Sequence, residues 1–395
     1  MLRFLTAGES HGPALVAILE GMPAGLSLSS DDLALDLVRR QKAYGAGGRM
    51  KIERDRAMIL SGVMAGHTTG APIALLLENR DYEKWRDRDI EPLSTPRPGH
   101  ADLTGAIKYG YRELRLALER ASARETAARV AVGGVCKALL AQFDIRVSSY
   151  VTAIGGVEVD WQRMASLVYQ DRFLVAERND LRCPDQEVLP AMRERVRICM
   201  QDKDTVGGTF EVVSLGLPPG LGSHVHYDRR LSGRLMGAVG SIQAIKGVEI
   251  GPAFENATLP GTQVHDEIFI DEATGELIRE SNRAGGLEGG ITTGQPLLVR
   301  AAMKPISTTL SPLRSVNLAT GESELSRYER SDFNAVPRAA VVGEAMVAFV
   351  LADVLLEKLG GDSLDDLRTR FESLRRNRLS DLPMDDVPWQ FGFEQ

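Results

Sequence analysis

Apolar positions recur along this chain in two rhythms, and each predicts a different kind of element. Leu114, Leu118, Ala121, Ala128, Val135 and Leu139 return at steps of three, four and seven. That spacing predicts one long helix over roughly 111–143 with a single apolar face. A more continuously apolar stretch predicts a second long helix over roughly 335–359. Shorter apolar runs at 1–7, 14–20, 57–63 and 71–78, separated by turns with glycine or proline, predict strands. Ser29 or Ser30 can cap a helix running to about Arg40, with Asp31 and Asp32 in its first turn. The polar stretch 79–97 predicts a long loop, of the kind that carries binding segments in compact folds. The polar stretch 160–202, with a helix expected after Pro184, reads as a peripheral insertion. The charged segment 363–395 reads as a tail.

The second half of the chain repeats the first in outline. G-M-P-A-G-L at 21–26 returns as G-L-P-P-G-L at 216–221, and T-T-G-A-P-I at 68–73 as T-T-G-Q-P-L at 292–297. E-S-H-G at 9–12 falls on D-T-V-G at 204–207 without a gap. The reading is an α+β fold with an internal pseudo-duplication: a first half at 1–160, an insertion at 161–203, a second half at 204–362 and the tail, all functionally one domain. Chance matching of glycine and proline turns is the alternative. His11 falls on Val206, so the histidine belongs to one half only.

Composition narrows the function. The 395 residues are 43% hydrophobic, enough for a large core, and the net charge is −7. That balance argues against nucleic acid as a partner. No run approaches 18 uninterrupted apolar residues, so no membrane span is expected. Cys136, Cys183 and Cys199 form no C-x-x-C or paired framework and read as reduced thiols of a cytoplasmic protein. Against the overall acidity, 33–56 carries seven basic residues and three acids. An anionic ligand would therefore meet a local basic site.

Candidate chemistry clusters in a few motifs. On a continuous helix Arg120 and Arg124 would be neighbours four apart, with no acid three or four residues from either. Either a bound anion or acids from elsewhere in the fold must answer them. His11 and His100 each sit in a glycine-flanked turn, G-E-S-H-G and R-P-G-H-A-D, where an imidazole can act as acid or base. Lys304, Pro305, Ile306, Ser307 and Thr308 put a cation and two hydroxyls around a rigid proline. Asp332 follows Arg330 just before the second long helix, where capping that helix is its alternative role. His224 and His226 lack a third ligand nearby, and no metal site is expected.

Taken in order, G-E-S-H-G, R-P-G-H-A-D, R-A-S-A-R-E-T-A-A-R-V, S-I-Q-A-I-K-G-V-E-I-G, K-P-I-S-T and E-R-S-D-x-x-A-V-P resemble chorismate synthases over about 1–352. The resemblance implies a β-α-β sandwich, with antiparallel sheets enclosing long central helices, in a homotetramer. It implies a carbon–oxygen lyase of the shikimate pathway, which eliminates phosphate from 5-enolpyruvylshikimate 3-phosphate to give chorismate. Reduced, non-covalent FMN is required without net redox change. By the family pattern His11 protonates the departing phosphate, His100 helps hold the reduced flavin as its anion, and Asp332 helps remove the ring proton near N5. Ser10, Arg40, Arg49, Arg97, Arg124 and Arg330 would bind substrate, since guanidinium forks suit a phosphate and two carboxylates. Arg120, Ala121, Ser122, Gln243, Ala244, Gly289, Lys304 through Thr308 and Arg330 would hold FMN.

The basic loop departs from the family pattern. Ala43 and Ala46 stand where many relatives have a glycine and an arginine. If this loop binds NADP in relatives that reduce their own flavin, Arg40 and Ala46 would be the contacts here, with one cation fewer. An FMN oxidoreductase would explain the flavin residues but not the arginines beside His11. An anion-binding module would explain the arginines but not the two histidines.

Overall fold

Residues 1–47, 55–329 and 331–392 are described by the computed structural model. The short apolar runs of the first half close an antiparallel sheet of β1 (Arg3–Ala7), β2 (Ala14–Glu20), β3 (Met58–Ser61) and β4 (Ile73–Glu78), in the order β1-β2-β4-β3. Leu15, Ala17 and Leu19 on β2 and Ile73, Leu75 and Leu77 on β4 are buried. Alternation along a strand puts these residues on one face, which becomes the core face. Ser29 caps α1 (Ser30–Gln41) in a reciprocal box with Asp32, as the sequence pattern requires.

The expected helix over 111–143 is interrupted. It comprises α3 (Arg115–Ala121) and α4 (Thr126–Ala141), joined by extended Ser122 and a single 3-10 turn at Ala123–Glu125; another helix, α2 (Asp102–Tyr109), precedes them. Ser122 Oγ accepts from Arg124 N at 3.3 Å. A serine can satisfy a neighbouring amide this way and so end one helix and start the next, which apolar periodicity does not register. The second long helix forms as the pattern predicts, α5 (Val336–Leu359), starting at a proline and buried nearly all round.

A second antiparallel sheet contains β5 (Arg146–Ile154), β6 (Val157–Glu158), β7 (Gly208–Leu215), β8 (Ile245–Ile250) and β9 (Leu297–Met303), in the order β8-β9-β7-β5-β6. α4 lies against β2 and β4 of the first sheet, α5 against β5 and β7 of the second, and the two helices pack on each other. Small residues make that approach close: a Cβ on Gly133 would fall 2.3 Å from the Cβ of Ala345. α5 is long and apolar enough to cross a membrane, yet its apolar window is 94% buried inside the protein.

Among the carboxylates of α5 one is completely enclosed. Glu344 is fully buried and accepts from Arg39 (2.7 Å), Lys137 (2.5 Å), Arg182 (3.1 Å) and Ser149 (2.5 Å). Arg182 comes from the segment expected as a peripheral insertion. That segment also buries Met164, Ala176, Leu181, Cys183, Met192, Val196 and Cys199 in the main apolar cluster. Its polar composition reflects an outer face, while its inner face belongs to the core.

The repeated motifs carry matching hydrogen bonds. Thr68 Oγ1 accepts from Leu26 N (2.9 Å) and donates to Pro23 O (2.6 Å). Thr292 Oγ1 accepts from Leu221 N (2.8 Å) and donates to Pro218 O (2.7 Å).

Candidate active site

The β1–β2 connection presents His11. Glu119, in the last turn of α3, grips it twice: Oε2 accepts from His11 N and Oε1 faces Nδ1, each at 2.7 Å. The backbone of buried Ser10 donates to Glu119 O at 3.2 Å. The Trp85 indole, from the long polar loop, lies 4.9 Å from the imidazole, ring centre to ring centre. Burial works to raise the Glu119 carboxyl, but the contacts from His11 outweigh it, and the group lies below its ordinary value. Asn79 ties the turn down by donating to Glu9 O (3.1 Å) and Gly12 O (2.8 Å).

Asn79 also connects this turn to the arginines. Its Oδ1 accepts from Arg124 Nε at 2.8 Å, and Arg124 Nη1 meets Asp55 Oδ1 at 2.5 Å. The other oxygen of Asp55 takes Arg40 Nη1 at 3.2 Å. Arg40 further donates to Thr126 Oγ1 and Ala123 O. Acids from elsewhere in the fold therefore answer Arg124. Because Ser122 breaks the helix, Arg120 is not its stacked neighbour: Arg120 reaches Thr6 O, Thr6 Oγ1 and Gly8 O instead. Burial, with Arg124 and Arg338 nearby, pulls the Arg40 guanidinium down to about 10 despite Asp55, leaving it charged at neutral pH.

Asp332 does not cap α5. Its Oδ1 accepts from Gly47 N at 2.6 Å and its Oδ2 from Arg338 Nη1 at 2.5 Å. Asn334 Oδ1 accepts from Val336 N at 3.1 Å, while Ala335 stands at the cap position and makes no side-chain bond there. Phe333 N donates to Gly45 O, so the start of the basic loop, Ala46 included, docks on this segment. Arg49 and Arg330 lie outside the described residues.

R-P-G-H-A-D and K-P-I-S-T meet. Arg97 Nη1 donates to Thr308 Oγ1 at 3.2 Å, and Ser307 Oγ to Gly99 O at 3.2 Å. Asp102, fully buried at the start of α2, takes Arg97 Nε at 2.8 Å and faces His100 Nδ1 at 2.6 Å. Burial raises the Asp102 carboxyl, but the bonds from His100 and Arg97 overcome it and hold the group well below the usual carboxylate range. Lys304 N donates to Ala244 O, and Ala244 holds a left-handed φ of 67°, a conformation costly for a residue with a Cβ. Burial, and then Lys246, lower the Lys304 ammonium.

Gln243 joins this group to the central helices, its Nε2 donating to Glu125 Oε2 at 3.2 Å. Glu125 also accepts from Thr6 Oγ1 and pairs with Arg129, as the i,i+4 spacing suggests. Gln243 Oε1, and Nε and Nη2 of Arg338, are buried without partners among the described residues. Gly289 makes no contact with this network among the described hydrogen bonds. It turns a small hairpin next to His224.

Glu119, Asp55, Asn79, Trp85 and Arg338 escape the sequence reading. Asp55 could have been noticed as an acid inside a basic loop, and Arg338 as a cation at the head of an apolar helix. Glu119 and Asn79 give no local signal, since their partners lie far away in the chain.

A sequence model described as chorismate synthase matches residues 2–356. The chain is 53% identical over 385 residues to the chorismate synthase of Aquifex aeolicus (strain VF5), covering 94% of this chain and 96% of that one. It is 52% identical over 390 residues to that of Sulfurihydrogenibium sp. (strain YO3AOP1), covering 96% and 100%. A crystal structure of a chorismate synthase aligns at 46% identity with a TM-score of 0.77, over 94% of this chain and 96% of the other.

Proposed function

Since the chain belongs to the chorismate synthase family, we propose the following division of labour for its lyase activity. The reaction removes phosphate from 5-enolpyruvylshikimate 3-phosphate and forms chorismate, the last common step toward the aromatic amino acids.

The carrying observation is the continuous network from the His11 turn through Asn79, Arg124, Asp55 and Arg40. It sets an imidazole and two guanidinium groups on one support, as an anionic leaving group requires. His11 delivers the proton to the departing phosphate. Arg124, together with Ser10, Arg40, Arg49, Arg97 and Arg330, receives the substrate anions. Asp332, held by Gly47 and Arg338, helps remove the ring proton.

Non-covalent reduced FMN fits the other part of the network. Orphaned Gln243 Oε1, the strained Ala244 and the two neighbouring cations Lys304 and Lys246 suit a ligand with a polar ring edge and a phosphate. Arg120, Ala121 and Ser122, with residues 304–308, would hold it beside His100. The chemistry it supplies when bound is electron density toward the C–O bond that breaks. Arg40 and Ala46 would be the NADP contacts, with Ala46 offering no charge.

The matching bonds of Thr68 and Thr292 support an ancient duplication and, with the helix packing, the β-α-β sandwich. Leu5, Ile18 and Met58, exposed on the outer face of the first sheet, suit assembly into the cytoplasmic homotetramer we infer.

Anaerobic protein with reduced FMN and 5-enolpyruvylshikimate 3-phosphate tests the assignment. Release of phosphate with chorismate absorbance and no net flavin oxidation is expected. Flavin consumed without phosphate release would instead indicate an oxidoreductase, and no reaction a binding module.

A further inference from the structure

We propose that Glu119 is a positioning residue that fixes which nitrogen of His11 delivers the proton. This rests on the reading of His11 as the acid.

The geometry is a two-point clamp. One carboxylate oxygen holds the backbone N–H of His11 and the other faces Nδ1, both at 2.7 Å. The Glu119 carbonyl takes the N–H of Ser10, so turn and side chain are referenced to the same residue. The Glu119 side chain keeps 14% of its surface exposed, and Trp85 limits the tilt of the imidazole. A carboxylate only accepts, so Nδ1 must carry the hydrogen between them. That leaves Nε2 as the ring atom free to exchange a proton with a ligand. The negative charge also faces the ring in its proton-carrying form, the form that can give a proton away.

The repeat supplies an internal control. The equivalent turn carries Val206, whose backbone pairs with the segment before α5 and which has no side chain to orient. Glu119 lies in the last turn of the short helix α3, three residues before the break at Ser122, while α5 runs on without one. The clamp and the histidine thus occur together, on the same half.

Glu119→Gln tests the proposal in the full-length protein with reduced FMN. The amide keeps the shape and can still accept the backbone N–H, but it offers a donor to Nδ1 and no charge. We expect kcat to fall by at least about tenfold, and by no more than His11→Ala costs, which for a lost general acid is about 10²–10⁴-fold. KM for substrate and the FMN dissociation constant should stay within about threefold, a split that a merely structural defect would not produce. Glu119→Asp should recover part of the rate. In [15N]histidine-labelled protein without substrate, the wild type should show His11 protonated at Nδ1, and Glu119→Gln should move that hydrogen to Nε2. The double variant Glu119→Gln/His11→Ala should be no slower than His11→Ala alone. A Glu119→Gln enzyme within about threefold of wild type, beside a crippled His11→Ala, overturns the role of Glu119 and leaves His11 as the acid. Near-normal turnover in His11→Ala removes the acid itself, and the positioning role with it.

Discussion

The two turns whose surrounding motifs match in the sequence, 9–12 and 204–207, do different work. In the first, His11 reaches outward and is gripped by Glu119 and Trp85. In the second, Val206 is buried, its N–H donates to Phe333 O, and the neighbouring Thr205 donates to Ile306 O at 2.6 Å. The second turn therefore carries no histidine yet braces both the segment with Asp332 and the loop with Lys304. The helices that follow differ in the same sense. α5 runs 24 residues with an almost wholly apolar surface. The α3–α4 stretch is broken at Ser122, and around the break Glu119 turns to His11, Arg124 to Asp55 and Asn79, and Glu125 to Arg129 and Gln243, while Arg120 and Glu125 share Thr6. A continuous helix would line its side chains up on fixed faces; an interrupted one can aim them separately.

Exchanging roles at the two turns should give the largest effect. His11→Ala is expected to lower turnover by about 10²–10⁴-fold with stability and FMN affinity intact. Val206→Ala should leave turnover near normal but cost about 1.5 kcal/mol in chemical unfolding, from lost burial of two methyl groups. A large turnover loss in Val206→Ala would show that the second turn is not merely a brace. The next largest contrast concerns Glu344, the fully buried carboxylate of α5. Glu344→Gln leaves Arg39, Lys137 and Arg182 without their common acid, and breaking such a buried network costs about 3–5 kcal/mol. Burial raises the Glu344 carboxyl, but Arg39 and Lys137 overcome that and hold it well below its ordinary 4.5. A depressed carboxylate contributes stability that is fully present above about pH 4.5 and lost as the pH falls below it. The wild type should therefore lose stability in acid more steeply than Glu344→Gln, as followed by denaturant midpoints between pH 3 and 7. Equal slopes would separate Glu344 from acid lability. The smallest effect belongs to the break itself: Ser122→Ala removes the side chain that accepts from Arg124 N and should cost about 1 kcal/mol in flavin-free protein. A gain in stability would mean that the break persists against the local preference and is enforced entirely by the partners of Arg120 and Arg124.

The resemblance was legible because it rests on contiguous motifs, and their local content held up in part. The glycine-flanked histidine turns, the Ser29 cap, the first four strands and the α5 helix each follow from neighbours within a few residues. The expected 111–143 helix needed correcting, since a serine that satisfies its own backbone looks, in apolar periodicity, like any small residue. The paired state of Arg124 was open in the sequence. Asp55 resolves it from 69 positions away along the chain. Arg49 and Arg330, outside the described residues, keep the standing that the motifs alone give them.

By itself the chain determined the first four strands, the Ser29 cap and the α5 helix, and which family the motifs belong to. Those follow from side-chain period, cap and turn chemistry, all short-range. Only the tertiary structure decided which acid meets which base. Glu119 with His11, Asp55 with Arg124 and Arg40, Arg338 with Asp332, and Glu344 with its three cations are all set by how sheets and helices stack. A buried charge must find a counter-charge wherever the packing brings one, and no spacing along the chain records where that is.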